Sequence, residues 1–195
     1  MNLILRETEK YIRSFLKDNL SEKLLFHNIS HTYEVVEAVK EIGTTCNLSL
    51  KEMIIVEVAA WFHDCGYAHA YHGHEEESKK IAKAFLESLK WDSANITAVL
   101  KCIDATKFPQ YPDSLIDKIL CDADMYHFTR ASYLKYEKAL RFEFEVFLGL
   151  TFTDEQWNNE NICVMDGHTY QTEYGKQVLT KFKDINLQLL INKQV

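Results

Sequence analysis

The amino-acid sequence predicts an all-α fold, a helical bundle that forms one domain over residues 1–195. Glycine and proline, which interrupt helices and mark turns between strands, are scarce: the chain has 6 glycines and 2 prolines. Apolar residues recur at the spacing of a buried helix face. A hydrophobic content of 47% and an aromatic content of 12% are sufficient for a packed core.

The first three helices follow from apolar spacing and one capping signal. Ser49 and Glu52 match a capping box, in which each side chain bonds to the backbone of the other residue. The run at 53–62 that follows is apolar on nearly every side, which is typical of a helix at the centre of a bundle. The faces that predict the two preceding helices are Leu3, Ile4, Tyr11, Ile12, Phe15 and Leu16, then Val35, Val36, Val39 and Ile42.

The second half of the chain continues the helical pattern. Helices are predicted over 75–90, 93–103, 116–125 and 134–147, with loops at 65–74 and 104–114. Ser93 is the expected cap of its helix, and Thr153 with Gln156 matches a second capping box. The last helix is predicted over 170–190, and its expected buried face is Val178, Leu179, Phe182, Ile185 and Leu189.

Charge and cysteine usage limit the classes of function. A net charge of −7 without a dense Lys/Arg run argues against nucleic acid as a partner. The 5 cysteines contain no CxxC pair, so reduced thiols in a cytoplasmic protein are expected rather than disulfides or a thiolate zinc site. Charges interrupt the N-terminal apolar segment, and no apolar run approaches the ~20 residues of a membrane span. We therefore expect no membrane partner.

Histidine and aspartate are concentrated at the ends of predicted helices. The segment WFHDCGYAHAYHGH at 61–74 contains four of the 8 histidines. His63 and Asp64 follow a run of buried-type residues, where an unpaired carboxylate would be costly. Imidazole and carboxylate groups suit a divalent ion, and helical bundles build such sites from neighbouring helices. Candidate ligands elsewhere are His27, His31, Asp122 and Asp124.

Each of these pairs alone is more often structural than functional, but the order H…HD…D is more specific. Together with the stretches FHNISHTYEVV, AAWFHDCGY, HGHEEES, ATKFPQYP and ILCDADMYHF, it resembles the HD superfamily of metal-dependent phosphohydrolases. These stretches lie within residues 24–130, and the later segment HTYQTEYG is similar to that of small bacterial members. The resemblance implies an HD-type helical bundle.

The resemblance also implies the metal ligands. They are His31, His63, Asp64 and Asp124, holding a divalent ion that can be Mn, Mg, Fe, Co, Ni or Zn. Asp124 is preferred to Asp122 because the family's last ligand is the second aspartate of such a DAD run. Asp122 is then expected to support the site from a helix end.

The resemblance also indicates candidates for a proton donor and for a ligand of a second metal ion. The segment FHNISH is similar to the YHNxxH element of cyclic nucleotide phosphodiesterases, whose first histidine protonates the leaving oxygen; His27 matches it, with Phe26 in place of tyrosine. His74 is the alternative donor and the best candidate to bind a second ion. A histidine common in two-metal members is replaced by Asp104, which favours one firmly held ion.

The expected chemistry follows from these roles. The metal would activate a water molecule and polarise a phosphoryl oxygen, while Asp64 orients or deprotonates the water. Lys107 is the candidate phosphate contact and His168 the candidate that reaches the pocket from the last helix. Each has a structural alternative: His27 as a helix cap, His74 and Lys107 as solvated residues, and His168 as a packing residue.

The leading prediction is a metal-dependent phosphohydrolase that cleaves a small phosphate ester, with a nucleotide as the expected substrate. The alternatives are a non-catalytic, metal- and nucleotide-binding regulatory module, which the missing histidine motivates, and a di-iron oxygenase, which needs a complete second site. The sequence specifies neither the base, sugar and phosphate number of the substrate nor the oligomeric state.

Overall fold

The structure, a computed structural model, describes residues 2–193. It confirms the all-α prediction: the described residues contain nine α-helices and no strand. None of the helices in this range is both long and apolar enough to cross a membrane. The helices are α1 (Leu3–Asn19), α2 (Ile29–Thr45), α3 (Leu50–Phe62), α4 (His74–Ser88), α5 (Ser93–Ala105), α6 (Leu115–Asp124), α7 (Tyr133–Leu148), α8 (Asp154–Gly167) and α9 (Thr180–Asn192). Short 3-10 helices at Cys65–Ala68 and Met125–Thr129 follow α3 and α6, and a π-helical turn at Gly175–Leu179 leads into α9.

Helix α3 lies at the centre of the main core, where it packs against α1, α2, α5 and α6. Its side chains Val56, Val58 and Phe62 are fully buried. Because this helix is apolar on nearly all sides, burial among other helices is its stable position. The predicted capping box begins it: the Glu52 backbone N–H donates to Ser49 Oγ, and the Ser49 N–H donates to Glu52 Oε2.

A smaller apolar cluster lies towards the C-terminal end of the chain. It contains buried residues from the Met125–Thr129 turn, α7, α8 and α9, and Met125 packs against both this cluster and the main core. The expected capping box of Thr153 and Gln156 begins α8. The cap of α5 is Asp92 rather than Ser93, because the Asp92 carboxylate accepts from the backbone N–H groups of Ala94 and Asn95.

The predicted face of the last helix is wrong. Phe182, Ile185 and Leu189 are 50%, 59% and 50% exposed, although Leu179 is buried as expected. The helix also begins later than residue 170, because the π-helical turn precedes α9. The side of α9 that apolar spacing predicts to be buried therefore faces outward in the structure.

Polar residues occupy the buried face of α9 because neighbouring segments end in carbonyl groups that need donors. Lys183 Nζ donates to the carbonyls of Met165 and His168, both at 2.9 Å. Asn186 Nδ2 donates to two carbonyls near the end of the Met125–Thr129 turn. Unpaired buried carbonyls are costly, so these two donors stabilise the inward face of α9 together with the buried side chains of Leu187 and Leu190.

Candidate metal centre

Four side chains carried by three helices converge beside the main core. His31 stands near the start of α2, His63 and Asp64 follow the last residue of α3, and Asp124 ends α6. His31 Nε2 lies 3.3 Å from Asp124 Oδ1, and His63 Nε2 lies 3.6 Å from the same oxygen. Asp64 Oδ2 lies 3.2 Å from His63 Nε2 and 3.4 Å from His31 Nε2. The structure thus brings together all four of the ligands that the sequence predicts.

The spacing of these atoms fits one bound ion. Ligand atoms bound at about 2.0–2.2 Å to a common centre lie roughly 3.0–3.5 Å from one another when the angles are near tetrahedral or octahedral. His31, His63 and Asp124 form a group that can hold a metal, with their ligand atoms all within 4.8 Å of one another. Asp64 is not a member of this group, but its Oδ2 lies within 3.4 Å of the Nε2 atoms of both His31 and His63.

Unpartnered polar atoms provide the second test of fit. Within the described residues, His63 Nε2 and Asp64 Oδ2 are buried and have no hydrogen-bond partner. Such atoms carry a desolvation cost that a bound cation removes. His63 Nδ1 lies 2.8 Å from the Ala60 carbonyl, so it donates its proton there and leaves the Nε2 lone pair for the ion. The donor set therefore fits a divalent cation.

The electrostatics of the ligands support the same interpretation. Burial disfavours the charged form of His31, but Asp124 and Asp64 outweigh burial and raise the pKa of His31 to about 9. Burial also lowers the pKa of His63, but the negative charges of Asp64 and Asp124 have the larger effect and raise this pKa well above its usual value. The pKa of Asp64 is lowered by His63 and His31 in spite of its burial. A divalent cation would take the place of the two protons that balance the carboxylates, because metal ligands bind in their deprotonated forms.

A tight turn after Asp64 brings His74 back to the same carboxylate. Gly66 begins this close approach: its backbone N–H donates to Ser78 Oγ at 2.8 Å, and a Cβ atom at this position would collide with the His74 carbonyl. His74 Nε2 lies 3.5 Å from Asp64 Oδ1, the oxygen of Asp64 that does not contact His31 and His63. The other two histidines of the segment, His69 and His72, are exposed.

Asp122 and Asp104, which are not among the predicted metal ligands, have other partners. Asp122 is fully buried, and its carboxylate accepts from the Gln171 N–H at 2.6 Å and from the Thr172 N–H and hydroxyl at 2.9 and 2.6 Å. It thereby ties α6 to the segment that leads into the π-helical turn. Asp104 forms an ion pair with Lys79 at 2.5 Å and its side chain is 56% exposed. The Asp104 carboxylate is therefore paired with Lys79 at the surface.

His27 lies beside the metal ligands in a separate hydrogen-bonded group. Its Nδ1 lies 2.6 Å from Glu143 Oε2, and its Nε2 lies 3.1 Å from the Tyr67 hydroxyl. The ring centroids of His27 and His31 are 6.1 Å apart. The Phe26 ring, which replaces the tyrosine of the similar motif, packs 4.6 Å from the His31 ring. His27 thus faces two protein groups at hydrogen-bonding distance rather than the ligand atoms.

Glu143 is the functional candidate that sequence reasoning missed. It lies on α7, its side chain is fully buried, and its Oε1 accepts from the backbone N–H groups of Phe26 at 2.5 Å and His27 at 3.1 Å. Tyr71 donates its hydroxyl to Oε2 at 3.2 Å. The residue is separated from Phe26 by 117 positions, and no spacing rule links residues so far apart. An acidic residue in the aromatic run FEFE was the one local sign.

The loop between α5 and α6 reaches the site through a residue that the sequence did not single out. Gln110 Nε2 donates to Asp124 Oδ2 at 3.3 Å. Lys107, the predicted phosphate contact, is exposed on this loop and lines a neighbouring cavity of about 750 Å³ together with Lys101 and Tyr111. The four metal ligands do not line that cavity. A phosphate contact by Lys107 stays a prediction.

His168, the other predicted substrate contact, follows the last residue of α8. Its ring packs edge-to-face against Phe128 and Tyr170, with centroid distances of 5.4 and 4.7 Å. Burial and the nearby Lys183 ammonium lower the pKa of His168 to about 4, so it is neutral at physiological pH. Its Nε2 is buried without a hydrogen-bond partner among the described residues. The position supports a packing role, and a substrate contact stays a prediction.

Comparisons with known proteins agree with the fold. The HD domain matches residues 28–129, a range that includes His31, His63, Asp64 and Asp124. A predicted HD superfamily hydrolase from an uncultured Thermotogales bacterium is 22% identical, with a TM-score of 0.61 over 100% of this chain and 95% of the other. The Lin1889 protein of Listeria innocua is 20% identical, with a TM-score of 0.64 over 100% of this chain and 97% of the other.

At these identities the two solved structures show a shared fold and no more. A search of curated proteins found none that matches. The match to the HD domain covers more than half of the 195 residues and contains the cluster of ligands described above. The chain therefore belongs to the HD-domain family.

Proposed function

We propose that the protein is a metal-dependent phosphohydrolase that cleaves a phosphate ester of a small molecule, with a nucleotide as the expected substrate. The observation that carries this proposal is the convergence of two imidazoles and two carboxylates, with His63 Nε2 and Asp64 Oδ2 buried and unpartnered among the described residues. The hydrolase name of the Thermotogales protein, which shares this fold, is consistent with it.

A divalent ion held by His31, His63, Asp64 and Asp124 would supply an activated water and polarise a phosphoryl oxygen. Asp64 contributes more than a ligand atom. Its Oδ2 faces the two imidazoles, whereas its Oδ1 faces His74 Nε2 at 3.5 Å. One carboxylate can therefore bind the ion with one oxygen and orient the attacking water with the other, while His74 keeps that second oxygen in place.

The leaving group needs a proton, and the group around His27 can provide it. Glu143 binds Nδ1 of His27 at 2.6 Å, and the other ring nitrogen, Nε2, lies 3.1 Å from the Tyr67 hydroxyl. A buried carboxylate bound to one nitrogen of an imidazole is the usual way in which proteins orient a general acid or base. His27 is therefore preferred to His74, which contacts Asp64, as the source of the proton.

The charge of the proposed site allows an anionic substrate. A cation balances the buried carboxylates, so an anionic phosphate ester can approach a protein whose overall charge is −7. Five free cysteines suit a reducing compartment, and we place the protein in the cytoplasm. Neither nucleic acid nor a membrane is a proposed partner.

The test is a substrate screen with defined metals. Purified protein is stripped of metal, reloaded separately with Mn, Mg, Fe, Co, Ni or Zn, and offered nucleoside monophosphates, cyclic nucleotides and other phosphate esters. Release of inorganic phosphate or of the opened nucleotide with at least one metal is the expected result. Absence of turnover with every metal and substrate would count against an enzyme.

The alternative function is a non-catalytic module that binds a metal and a nucleotide. The ion pair between Asp104 and Lys79 favours this alternative, because two-metal members carry a histidine at the Asp104 position and this carboxylate is engaged elsewhere. Calorimetric binding of a metal and a nucleotide, without turnover in the same screen, would support it. Hydrolysis would exclude it.

A further inference from the structure

The hydroxyl of Tyr67 covers the ring nitrogen of His27 that Glu143 does not bind. It lies 3.1 Å from His27 Nε2, and the opposite ring nitrogen is taken by Glu143. The Tyr67 ring is held between two imidazoles: its centroid lies 4.1 Å from that of His27 and 3.8 Å from that of His74, with both pairs stacked. His27 therefore has no open nitrogen with which to reach a substrate in this arrangement.

Glu143 accepts hydrogen bonds on both of its carboxylate oxygens, and one of the donors is His27. This fully buried carboxylate accepts from two backbone N–H groups, from Tyr71 and from His27. Of these partners only His27 can carry a positive charge, and a buried carboxylate is stable when a cation pairs with it. When both of its ring nitrogens carry a proton, His27 donates through Nδ1 to Glu143 and through Nε2 to the oxygen of Tyr67. The hydrogen of the Tyr67 hydroxyl is then free to point away from His27.

We propose that Tyr67, not His27, is the catalytic residue that hands the proton to the leaving oxygen. As the bond between phosphorus and the leaving oxygen breaks, that oxygen takes the hydroxyl proton of Tyr67. Tyr67 in the same step takes the Nε2 proton of His27, and His27 remains neutral with Nδ1–H bonded to Glu143. The proton that the attacking water loses later returns to Nε2 of His27. The overall reaction is therefore the hydrolysis of one ester by one water molecule.

The surroundings of Tyr67 suit a residue that passes a proton on without becoming an anion. Burial, and after it the negative charge of Asp64, raise the pKa of the Tyr67 hydroxyl well above its usual value. A free tyrosinate is therefore strongly disfavoured here, and the transfer requires His27 to supply the replacement proton. His74, which stacks on Tyr67, contacts Asp64 Oδ1 at 3.5 Å and so connects the ring to the metal-ligand cluster.

The role of Tyr67, which rests on the proposed function, is tested with Tyr67→Phe and two kinds of leaving group. This variant keeps the stacked ring and removes only the hydroxyl. With an alkyl ester or a nucleotide, turnover is expected to fall by about 10²–10⁴-fold, the range for a lost general acid. With nitrophenyl phosphate, whose leaving oxygen needs no proton, the loss is expected to be less than about tenfold. Metal content should equal that of the wild type.

The double variant Tyr67→Phe/His27→Gln separates a shared pathway from two independent contributions. Groups that act in one chain are strongly non-additive, so the double variant should be no slower than the slower single variant. Tyr71→Phe is the matched control: it removes another hydroxyl that bonds to Glu143 but leaves His27 Nε2 untouched. Its loss should be clearly smaller than that of Tyr67→Phe and equal for both kinds of leaving group.

Two results would overturn the assignment to Tyr67 while leaving the proposed function intact. One is a Tyr67→Phe variant that hydrolyses nucleotides at the wild-type rate. The other is a double variant whose loss is the product of the two single losses. If the wild type itself hydrolyses nothing in the screen, the proposed function fails, and the assignment to Tyr67 fails with it.

Discussion

Two neighbouring groups of buried polar side chains differ in whether their atoms have partners. In the metal-ligand cluster, His63 Nε2 and Asp64 Oδ2 have no hydrogen-bond partner among the described residues. In the group of Glu143, His27 and Tyr67, each ring nitrogen and carboxylate oxygen has a donor or acceptor at 2.5–3.2 Å. The unpartnered atoms of the first group are buried and fit an added ion, whereas the protein itself supplies the partners of the second group. Substitutions in the first should therefore affect metal content, and those in the second should affect proton transfer.

The largest effect is expected for Asp64→Ala. Asp64 has one oxygen beside both imidazoles and the other beside His74, so its removal takes away a metal ligand and the group that orients the water. Hydrolysis should fall to background and metal content should drop, while the helical circular dichroism spectrum is kept. Metal analysis and phosphate release measure the two losses. An active Asp64→Ala protein with full metal would refute the mechanism.

The next prediction contrasts the two histidines that stand one helical turn apart. His31→Ala should lose metal and be slow on every substrate, because His31 Nε2 lies among the ligand atoms. His27→Ala should keep its metal and lose about 10²–10⁴-fold in turnover, and the loss should shrink for nitrophenyl phosphate. Equal loss of metal in the two variants would make His27 a ligand. Full activity of His27→Ala on nucleotides would transfer proton donation to His74.

A smaller effect is expected for Glu143→Gln, which keeps the size of the side chain and removes its charge. Glu143 holds His27 Nδ1 at 2.6 Å, and an amide holds an imidazolium less well than a carboxylate does. Turnover should fall by about 10–10²-fold, less than for a lost general acid. Glu145→Gln, at a more exposed position on the same helix, is the control. The same rates in both variants would remove Glu143 from proton transfer.

A substitution in the C-terminal helices should lower stability without changing metal content. Lys183→Met leaves the carbonyls of Met165 and His168 without their donor, which should lower the free energy of unfolding by roughly 1–3 kcal/mol. Metal content should not change. The neighbouring Lys181→Met, at an exposed position, should change stability by less than about 0.5 kcal/mol. Urea denaturation of both variants measures the difference, and equal stabilities would show that Lys183 is not a structural donor.

The last prediction is a pH dependence of stability that arises from His168. Burial and Lys183 lower its pKa in the folded protein to about 4, from an ordinary value of 6.5. As the pH falls below about 6.5, the unfolded chain takes up a proton that the folded protein does not, so stability decreases until about pH 4. One group changes the free energy of unfolding by at most about 1.4 kcal/mol per pH unit. His168→Asn should show a shallower decrease over this window in urea denaturation, and an unchanged slope would contradict the shift.

The proposed metal ligands were predicted from the resemblance of the sequence motifs to the HD superfamily, and local signals supported three of them. His63 and Asp64 follow an apolar helix whose burial is evident from its composition, and Asp124 ends another. Glu143 was not predictable, because its contacts with Phe26 and His27 join residues 117 and 116 positions apart. Gln110 lies in a loop, where no periodic pattern indicates the direction of a side chain.

The last helix shows why apolar spacing can mislead. Its apolar stripe was expected to be buried, but Lys183 and Asn186 face inward because four backbone carbonyls there need donors. Hydrogen bonds to carbonyls of distant segments leave no mark on the spacing of the helix itself. The apolar pattern therefore predicted the position of the helix in the sequence but not which of its faces is buried.

Metal stoichiometry in matched variants tests the central claim most directly. Wild type, Asp64→Ala and His27→Ala are stripped, incubated with Mn, Co or Zn, passed through a desalting column and analysed for metal by mass spectrometry. We predict one ion per chain in the wild type, one in His27→Ala, and much less than one in Asp64→Ala. A wild type that binds none of these ions, or an Asp64→Ala protein that binds as much as the wild type, would contradict the claim that His31, His63, Asp64 and Asp124 form the metal site.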